Sequence, residues 1–144
     1  MQISTKIHIW GSIAIFFICL SFPGYYYGEM AEERNGLELL FIGWLGSFFW
    51  YANFFYFLSL FPYKKTEISS VLSVLSLLIA ISFLGASQVP SGDINGGGNV
   101  SISGYGIGYF LWVLSIGIFT IGQILPVKPA NNKPSFATQP YKLK

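Results

Sequence analysis

The stretch KKTEISSVLSVLSLLIAISFLGAS, residues 64–87, decides the fold that the sequence predicts. Two lysines open it, and no charged residue occurs from Ile68 to Ser87. A helix of about 20 predominantly apolar residues can cross the hydrocarbon core of a bilayer, because each residue rises about 1.5 Å. We therefore predict a membrane-spanning helix over Ile68–Ser87, with its lysine-bearing end in the cytoplasm.

The same pattern occurs elsewhere along the 144 residues, so the composition indicates a membrane protein. The chain is 53% hydrophobic and 10% charged, with a mean hydropathy of +0.56, whereas soluble domains carry about 25% charged residues. Four segments of 22, 25, 25 and 34 residues contain no Asp, Glu, Lys or Arg, and each can hold one spanning helix. The predicted spans are Ile7–Phe22, Leu39–Phe61, Ile68–Ser87 and Tyr105–Leu125. We expect an all-α membrane protein, a four-transmembrane-helix bundle over residues 1–126, followed by a disordered tail over 127–144.

The positive charges predict the orientation of this bundle. Seven of the eight Lys and Arg residues would lie at one end of the four helices, and only Arg34 at the other. Because short cytoplasmic loops retain Lys and Arg, we expect both the N and the C terminus in the cytoplasm and the chain in a cell membrane. The chain has no basic patch interleaved with aromatic residues, so nucleic acid is not an expected partner.

The two predicted outer loops differ in composition. The first, about 23–38, is acidic, and Glu29–Asn35 could form one or two helical turns closed by Gly36. Such a run could bind a cation or a basic partner, although it is more often a solvated loop. The second loop, about 88–104, is rich in glycine and is expected to be flexible. The candidate interaction residues are Glu29, Glu32, Glu33 and Arg34.

Small and polar residues predict which helix faces meet. On the third predicted span, Ser69, Ser73 and Ser76 share one face, which would let neighbouring helices approach closely. Asn53 on the second span lies at the same depth as Ser76. We therefore predict that Asn53 faces the third span near Ser73 or Ser76 and clamps the two helices together. A ligand contact for Asn53, or a polar conduit lined by the serines, is the alternative.

The sequence shows no arrangement that predicts catalysis, a metal site or a cofactor. No predicted span carries a charged residue near its centre, where proton-coupled transporters generally keep one. The one cysteine, Cys19, cannot form an internal disulfide or a redox pair. His8 has no second ligand at metal spacing. We therefore expect no catalytic residue, no metal and no cofactor.

Two segments resemble a family. Gly43-Trp44-Leu45-Gly46 with Trp50-Tyr51-Ala52-Asn53, and the stretch GYGIGYFLW at 104–112, resemble small, uncharacterised four-span bacterial inner-membrane proteins. In those proteins the Trp-x-Ala-Asn segment ends in proline, whereas Phe54 stands there in this chain. The resemblance implies a bacterial cytoplasmic membrane and carries no activity.

Three functions remain open on the sequence. The preferred hypothesis is a non-enzymatic, multi-pass membrane protein that contacts the lipid bilayer and either another membrane protein or a second copy of itself. It would act as an accessory subunit or as an immunity-type protein that shields the cell from a toxin. One alternative is an oligomeric pore or transport component with the serine face lining a path. The other is an enzyme at the lipid interface that uses Glu29, Glu32 or Glu33.

Overall fold

A computed structural model of the chain describes residues 4–43, 47–61, 66–90 and 98–125. Within them lie five α-helices and four β-strands. In chain order these are α1 (Ser4–Cys19), β1 (Pro23–Tyr27), β2 (Glu32–Asn35), α2 (Gly36–Ile42), α3 (Tyr51–Leu60), α4 (Thr66–Ser82), β3 (Gln88–Pro90), β4 (Asn99–Tyr105) and α5 (Ile107–Ile124). Short 3₁₀ segments precede α3, over Phe48–Trp50, and follow α4, over Phe83–Gly85.

The predicted all-α fold is wrong, because both outer loops contribute to one four-stranded antiparallel sheet. The strand order is β2-β1-β4-β3. β1 pairs with β4, with Tyr25 opposite Tyr105, and β3 pairs with β4, with Val89 opposite Val100. Backbone groups that leave a helix still need hydrogen-bond partners. The aromatic and β-branched residues of the two loops favour strands, and each loop supplies the partners that the other needs.

Two smaller expectations for these loops are also wrong. Glu32–Asn35 is strand β2 instead of a helical turn, and Gly36 is the first residue of α2 instead of the residue that closes a turn. The second loop contributes β3 and β4, so it is not a flexible connection throughout. Residues 91–97 of that loop lie outside the described residues.

The prediction of four membrane-spanning helices is also wrong. Within the described residues, Glu67–Gly85 and Ile107–Ile124 are the two helical stretches long and apolar enough to cross a membrane. The first helix gives a shorter apolar stretch, Ile7–Cys19. The predicted second span, Leu39–Phe61, is divided between α2 and α3. Ser47 lies in extended backbone between them, with φ −107° and ψ 117°, so one continuous helix is not formed.

The helices pack side by side in antiparallel pairs. α5 packs against α1 and α4, and α3 packs against α4. The Ser69 hydroxyl donates to the Ser59 carbonyl at 2.8 Å, and the Ser76 hydroxyl donates to the Ala52 carbonyl at 2.7 Å, so α3 and α4 run in opposite directions. Each pair of strands lies between the end of one helix and the start of the next. The whole sheet therefore lies at one end of the helices.

Two hydrophobic clusters form the core. In the helices, the Phe16 ring stacks on Tyr56 with centroids 5.3 Å apart, and Phe119 meets Tyr56 edge-on at 5.7 Å. The second cluster lies where the sheet meets the helices and contains Tyr25, Phe83, Val89 and Tyr109. The expected tail over 127–144, and the lysine pair at 64–65, lie outside the described residues.

Candidate functional site

The sheet is held against the helices by close backbone approaches. A Cβ at Gly108, in the first turn of α5, would lie 2.6 Å from the Phe22 carbonyl oxygen. A Cβ at Gly36, the first residue of α2, would lie 2.8 Å from the Cys19 carbonyl oxygen. Only glycine allows backbones to approach this closely. These two residues therefore fix where the strands leave the helices.

One tyrosine hydroxyl of β4 and one from the first turn of α5 bind the end of α4 and its 3₁₀ extension. The last carbonyls of a helix lack intrahelical donors. The Tyr105 hydroxyl of β4 donates to the Phe83 carbonyl at 2.8 Å and lies 3.2 Å from the Ala86 carbonyl. The Tyr109 hydroxyl donates to the Ala80 carbonyl at 2.9 Å. Burial raises the pKa of Tyr105 above its ordinary value.

The acidic hairpin of β1 and β2 carries the predicted interaction residues. Glu29 lies in the turn, and Glu32 and Glu33 are exposed on β2. Arg34 is engaged within the chain, because its Nη1 atom lies 2.6 Å from Glu38 Oε1 and its guanidinium lies 5.2 Å from the centre of the Tyr27 ring. The charge that the hairpin presents to a partner is therefore negative.

β2 is the acidic edge of the sheet. It comes first in the strand order, and no described strand pairs with its outer side. At the opposite edge, β3 has three residues and ends with Pro90, which lacks a backbone N–H. β2 has four residues and no proline. The sheet therefore has one short edge that contains proline and one edge that another strand could extend.

A shallow groove lies beside the turn of this hairpin. It has a volume of about 350 Å³ between the turn and β4. Its lining residues are Gly28, Glu29, Val100, Ser101, Ile102 and Ser103. At the tip of the turn, Met30 is 89% exposed and Ala31 has a φ of +52°. The groove thus adds a partly apolar surface next to the acidic edge.

The predicted helix-packing residues are buried, but Asn53 has a different partner from the predicted one. Its Oδ1 accepts a hydrogen bond from Trp112 Nε1 of α5 at 2.8 Å. Ser76 donates to the carbonyl of Ala52, the residue next to Asn53. Ser73 donates to a carbonyl of its own helix, and its own carbonyl accepts a hydrogen bond from Thr120 of α5 at 3.1 Å. Ser76 of α4 thus lies level with Ala52, the neighbour of Asn53 in α3. The Asn53 side chain itself joins α3 to α5.

Sequence reasoning missed a hydrogen-bonded trio among α1, α3 and α5. Ser12 Oγ donates to the Ser115 carbonyl at 2.7 Å and lies 2.7 Å from the Tyr56 hydroxyl. A serine hydroxyl has one hydrogen, so Tyr56 is the donor to Ser12. The position of Tyr56 within a predicted span was a usable signal, because a buried tyrosine hydroxyl usually has a partner.

The chemistry offered at the sheet end is hydrogen bonding from a strand edge together with negative charge. Among the described residues, no group of three or more His, Cys, Asp or Glu side chains is placed to hold a metal ion. Glu32 and Glu33 are successive strand residues, so their side chains point to opposite faces of the sheet. No protein-family model, curated protein or solved structure matches the chain.

Proposed function

We propose that this chain is a multi-pass integral protein of a bacterial cytoplasmic membrane that binds a protein partner through its sheet. It would act without catalysis, as an accessory or immunity-type protein. The observation that carries the proposal is an inverted distribution of polarity. Within the described residues, 26 large apolar side chains are exposed, while eight Ser, Thr and Asn side chains are buried.

The exposed apolar side chains support contact with lipid. A soluble monomer rarely exposes apolar patches larger than a few hundred Å². Here large apolar side chains are exposed along all the long helices, which a bilayer would cover. They include Trp10 and Phe17 on α1, Phe54 and Phe57 on α3, Val71 and Leu78 on α4, and Phe110, Leu114 and Ile121 on α5.

The buried polar side chains support the same proposal. Helices in lipid associate through close packing and interhelical hydrogen bonds, because lipid tails are as apolar as the helix faces. Ser69 and Ser76 donate from α4 to carbonyls of α3, and Ser12 donates from α1 to a carbonyl of α5. Each hydroxyl is fully buried, so it would meet no lipid.

The charge distribution supports a sheet on the outer face of the membrane. In the sequence, Lys6 lies in the first turns of α1, and Lys64 and Lys65 lie between α3 and α4. These positions adjoin the helix ends opposite to the sheet. Short cytoplasmic loops retain lysine, so the acidic hairpin would face outwards, where another protein can reach it.

No observation favours the two alternatives. A conduit lined by the serine face needs accessible hydroxyls, whereas Ser69, Ser73 and Ser76 are fully buried in packed interfaces. An enzyme at the lipid interface needs convergent carboxylates, whereas Glu32 and Glu33 point to opposite faces of β2. Binding of a protein partner needs only an accessible surface, and the sheet end offers one.

Membrane extraction and cysteine labelling test the first half of the proposal. The full chain should stay in the membrane fraction after washing with alkaline carbonate. In a Cys19→Ala background, a membrane-impermeant maleimide should label Glu33→Cys in intact cells. Glu67→Cys, at the end of α4 away from the sheet, should react only after the cells are permeabilised. Release by carbonate, or the reverse labelling pattern, would contradict the proposal.

Site-specific crosslinking tests the second half. A photoreactive residue placed at Glu33 should give a discrete adduct with another protein in native membranes. The same residue at Glu67 serves as the matched control, because Glu67 is also an exposed carboxylate but lies away from the sheet. Adducts of equal yield at both positions, or none at Glu33, would contradict recognition through the sheet.

A further inference from the structure

The two edges of the sheet are not equivalent as sites for another strand. An unpaired edge presents rows of N–H and C=O groups, and natural proteins usually block it with proline, shortness or charge. β3 is blocked by its three-residue length and by Pro90. β2 contains no proline, so alternate residues of Glu32–Asn35 can direct their backbone N–H and C=O groups to a further strand. Within the described residues no strand pairs with this edge, and its exposed Glu32 and Glu33 side chains carry negative charge.

That charge is selective, because it repels some strands and attracts others. Opposite charges on adjacent strands stabilise pairing, and like charges destabilise it. Glu32 and Glu33 are exposed on β2, while Arg34 is held by Glu38 and Tyr27. A second copy of β2 is therefore a poorer occupant, because it would bring two more glutamates to an edge that already exposes Glu32 and Glu33, while Arg34 is held within each chain. A basic extended segment is a good one.

We propose that β2 takes up a basic, extended segment of the partner protein as a fifth strand of the sheet. The inference rests on the proposed function and names the chemistry of the partner at the same surface. Main-chain hydrogen bonds to β2 would supply affinity, as in other cases of strand addition. Lysine or arginine side chains on the added strand would face Glu32 and Glu33, on the two faces of the sheet, and would supply specificity.

A peptide with a blocked backbone separates strand addition from simple charge attraction. The probe is a fluorescent nine-residue peptide with three adjacent lysines at its centre and threonines on both sides, so that its lysines lie on both faces of the added strand. The full chain is held in nanodiscs of zwitterionic phosphatidylcholine, and empty nanodiscs give the background. A second peptide of identical sequence carries N-methyl groups on its three central residues, which removes backbone donors and keeps every charge. Anisotropy should show at least tenfold weaker binding of the methylated peptide.

Variants of the chain locate the binding to β2. The double variant Glu32→Lys with Glu33→Lys should weaken binding of the unmodified peptide at least tenfold. Glu67→Lys reverses one charge far from the sheet and should change binding less than twofold, and Glu33→Lys alone is the variant matched to it in charge. Retention of each variant in carbonate-washed membranes shows that it is still inserted, and an unchanged thermal unfolding midpoint in detergent shows that it is still folded.

Three outcomes of the peptide measurements would overturn the inference. They are no binding above empty nanodiscs, equal binding of the two peptides, and a charge reversal on β2 without effect. A dimer of the chain that Glu32→Lys dissociates would also overturn it, since β2 would then pair with itself. The proposed function would survive each result if the chain stays membrane-bound and Glu33 still crosslinks to a partner.

Discussion

Side chains of the helix interior donate to backbone carbonyls of their own and of neighbouring helices, whereas the sheet end is joined by strand pairing and by aromatic side chains. Ser69 and Ser76 illustrate the first pattern, and Tyr105 illustrates the second. In the helices, polarity is buried and apolar surface is exposed. In the acidic hairpin, charge is exposed on a strand with an open side. This difference underlies the proposal that the helices contact lipid and the sheet contacts a protein.

The largest expected effect tests the junction between the two regions. Gly108→Ala should lower the free energy of unfolding by about 2 kcal/mol, because its Cβ would meet backbone atoms that cannot give way. Gly117→Ala is the matched control in the same helix, where a Cβ has no neighbour within 4 Å. It should be neutral or raise stability by up to about 1 kcal/mol. Thermal unfolding in detergent would measure both, and an equal loss in the two variants would contradict the close approach.

The next effect concerns the helix interior. Trp112→Phe removes the donor to Asn53 Oδ1 and should cost about 1–2 kcal/mol, because the buried amide loses a partner. Together with Asn53→Leu it completes a double-mutant cycle, in which a coupling of about 0.6 kcal/mol is typical of helices in lipid. Trp10→Phe, on an exposed ring of α1, is the control. A coupling of zero would mean that the two side chains do not act together.

A somewhat smaller effect belongs to the sheet end and depends on pH. Tyr105→Phe should cost about 1 kcal/mol through the lost hydrogen bond to Phe83. Because burial raises the folded-state pKa of Tyr105 above its ordinary value of about 10, its contribution is present below pH 10 and is lost as the pH rises through the folded-state value. Between pH 8 and pH 11, the free energy of unfolding should therefore fall more steeply for the unmodified chain than for Tyr105→Phe. Tyr51→Phe, at an exposed tyrosine, should keep the steeper slope.

The smallest effect is a gain in stability at the hairpin tip. Ala31 has a φ of +52°, a left-handed conformation that glycine adopts without strain. Ala31→Gly should therefore raise the free energy of unfolding by up to about 1 kcal/mol. Ala86→Gly is the control, since Ala86 has a φ of −76° and should lose stability. Losses of similar size at both positions would show that the turn is not strained.

The long helices were predictable because charge-free apolar stretches leave few alternatives. α4 with its 3₁₀ extension covers Thr66–Gly85, against a prediction of 68–87, and α5 covers Ile107–Ile124, against 105–125. The interrupted second span was not predictable by this reasoning. It carries no charged residue, and Gly43, Gly46 and Ser47 are as typical of helix packing in a membrane as of a break, so composition does not reveal the extended residue Ser47 between α2 and α3.

The sheet escaped prediction although the seven-residue β4 alternates Val100 and Ile102 with polar residues, because the pairing that joins the two loops, β1 with β4, is remote in sequence. β1 is a run of tyrosines after Pro23-Gly24, and β3 has three residues, so neither shows a period-two pattern long enough to recognise. The partner of Asn53 was missed for a related reason. A helical wheel gives the face on which Asn53 lies, but a modest rotation of α3 moves that face from α4 to α5.

Pairing of Tyr25 with Tyr105 joins segments about 80 residues apart, and this has a consequence for biogenesis. During synthesis the hairpin of β1 and β2 is made long before β4 leaves the ribosome. One side of β1 therefore has no strand to pair with until β4 is made. Contacts of such wide sequence separation form slowly. We expect maturation to end with the closing of the sheet, and a nascent chain that stalls before β4 would present a bare strand to the cell's proteases.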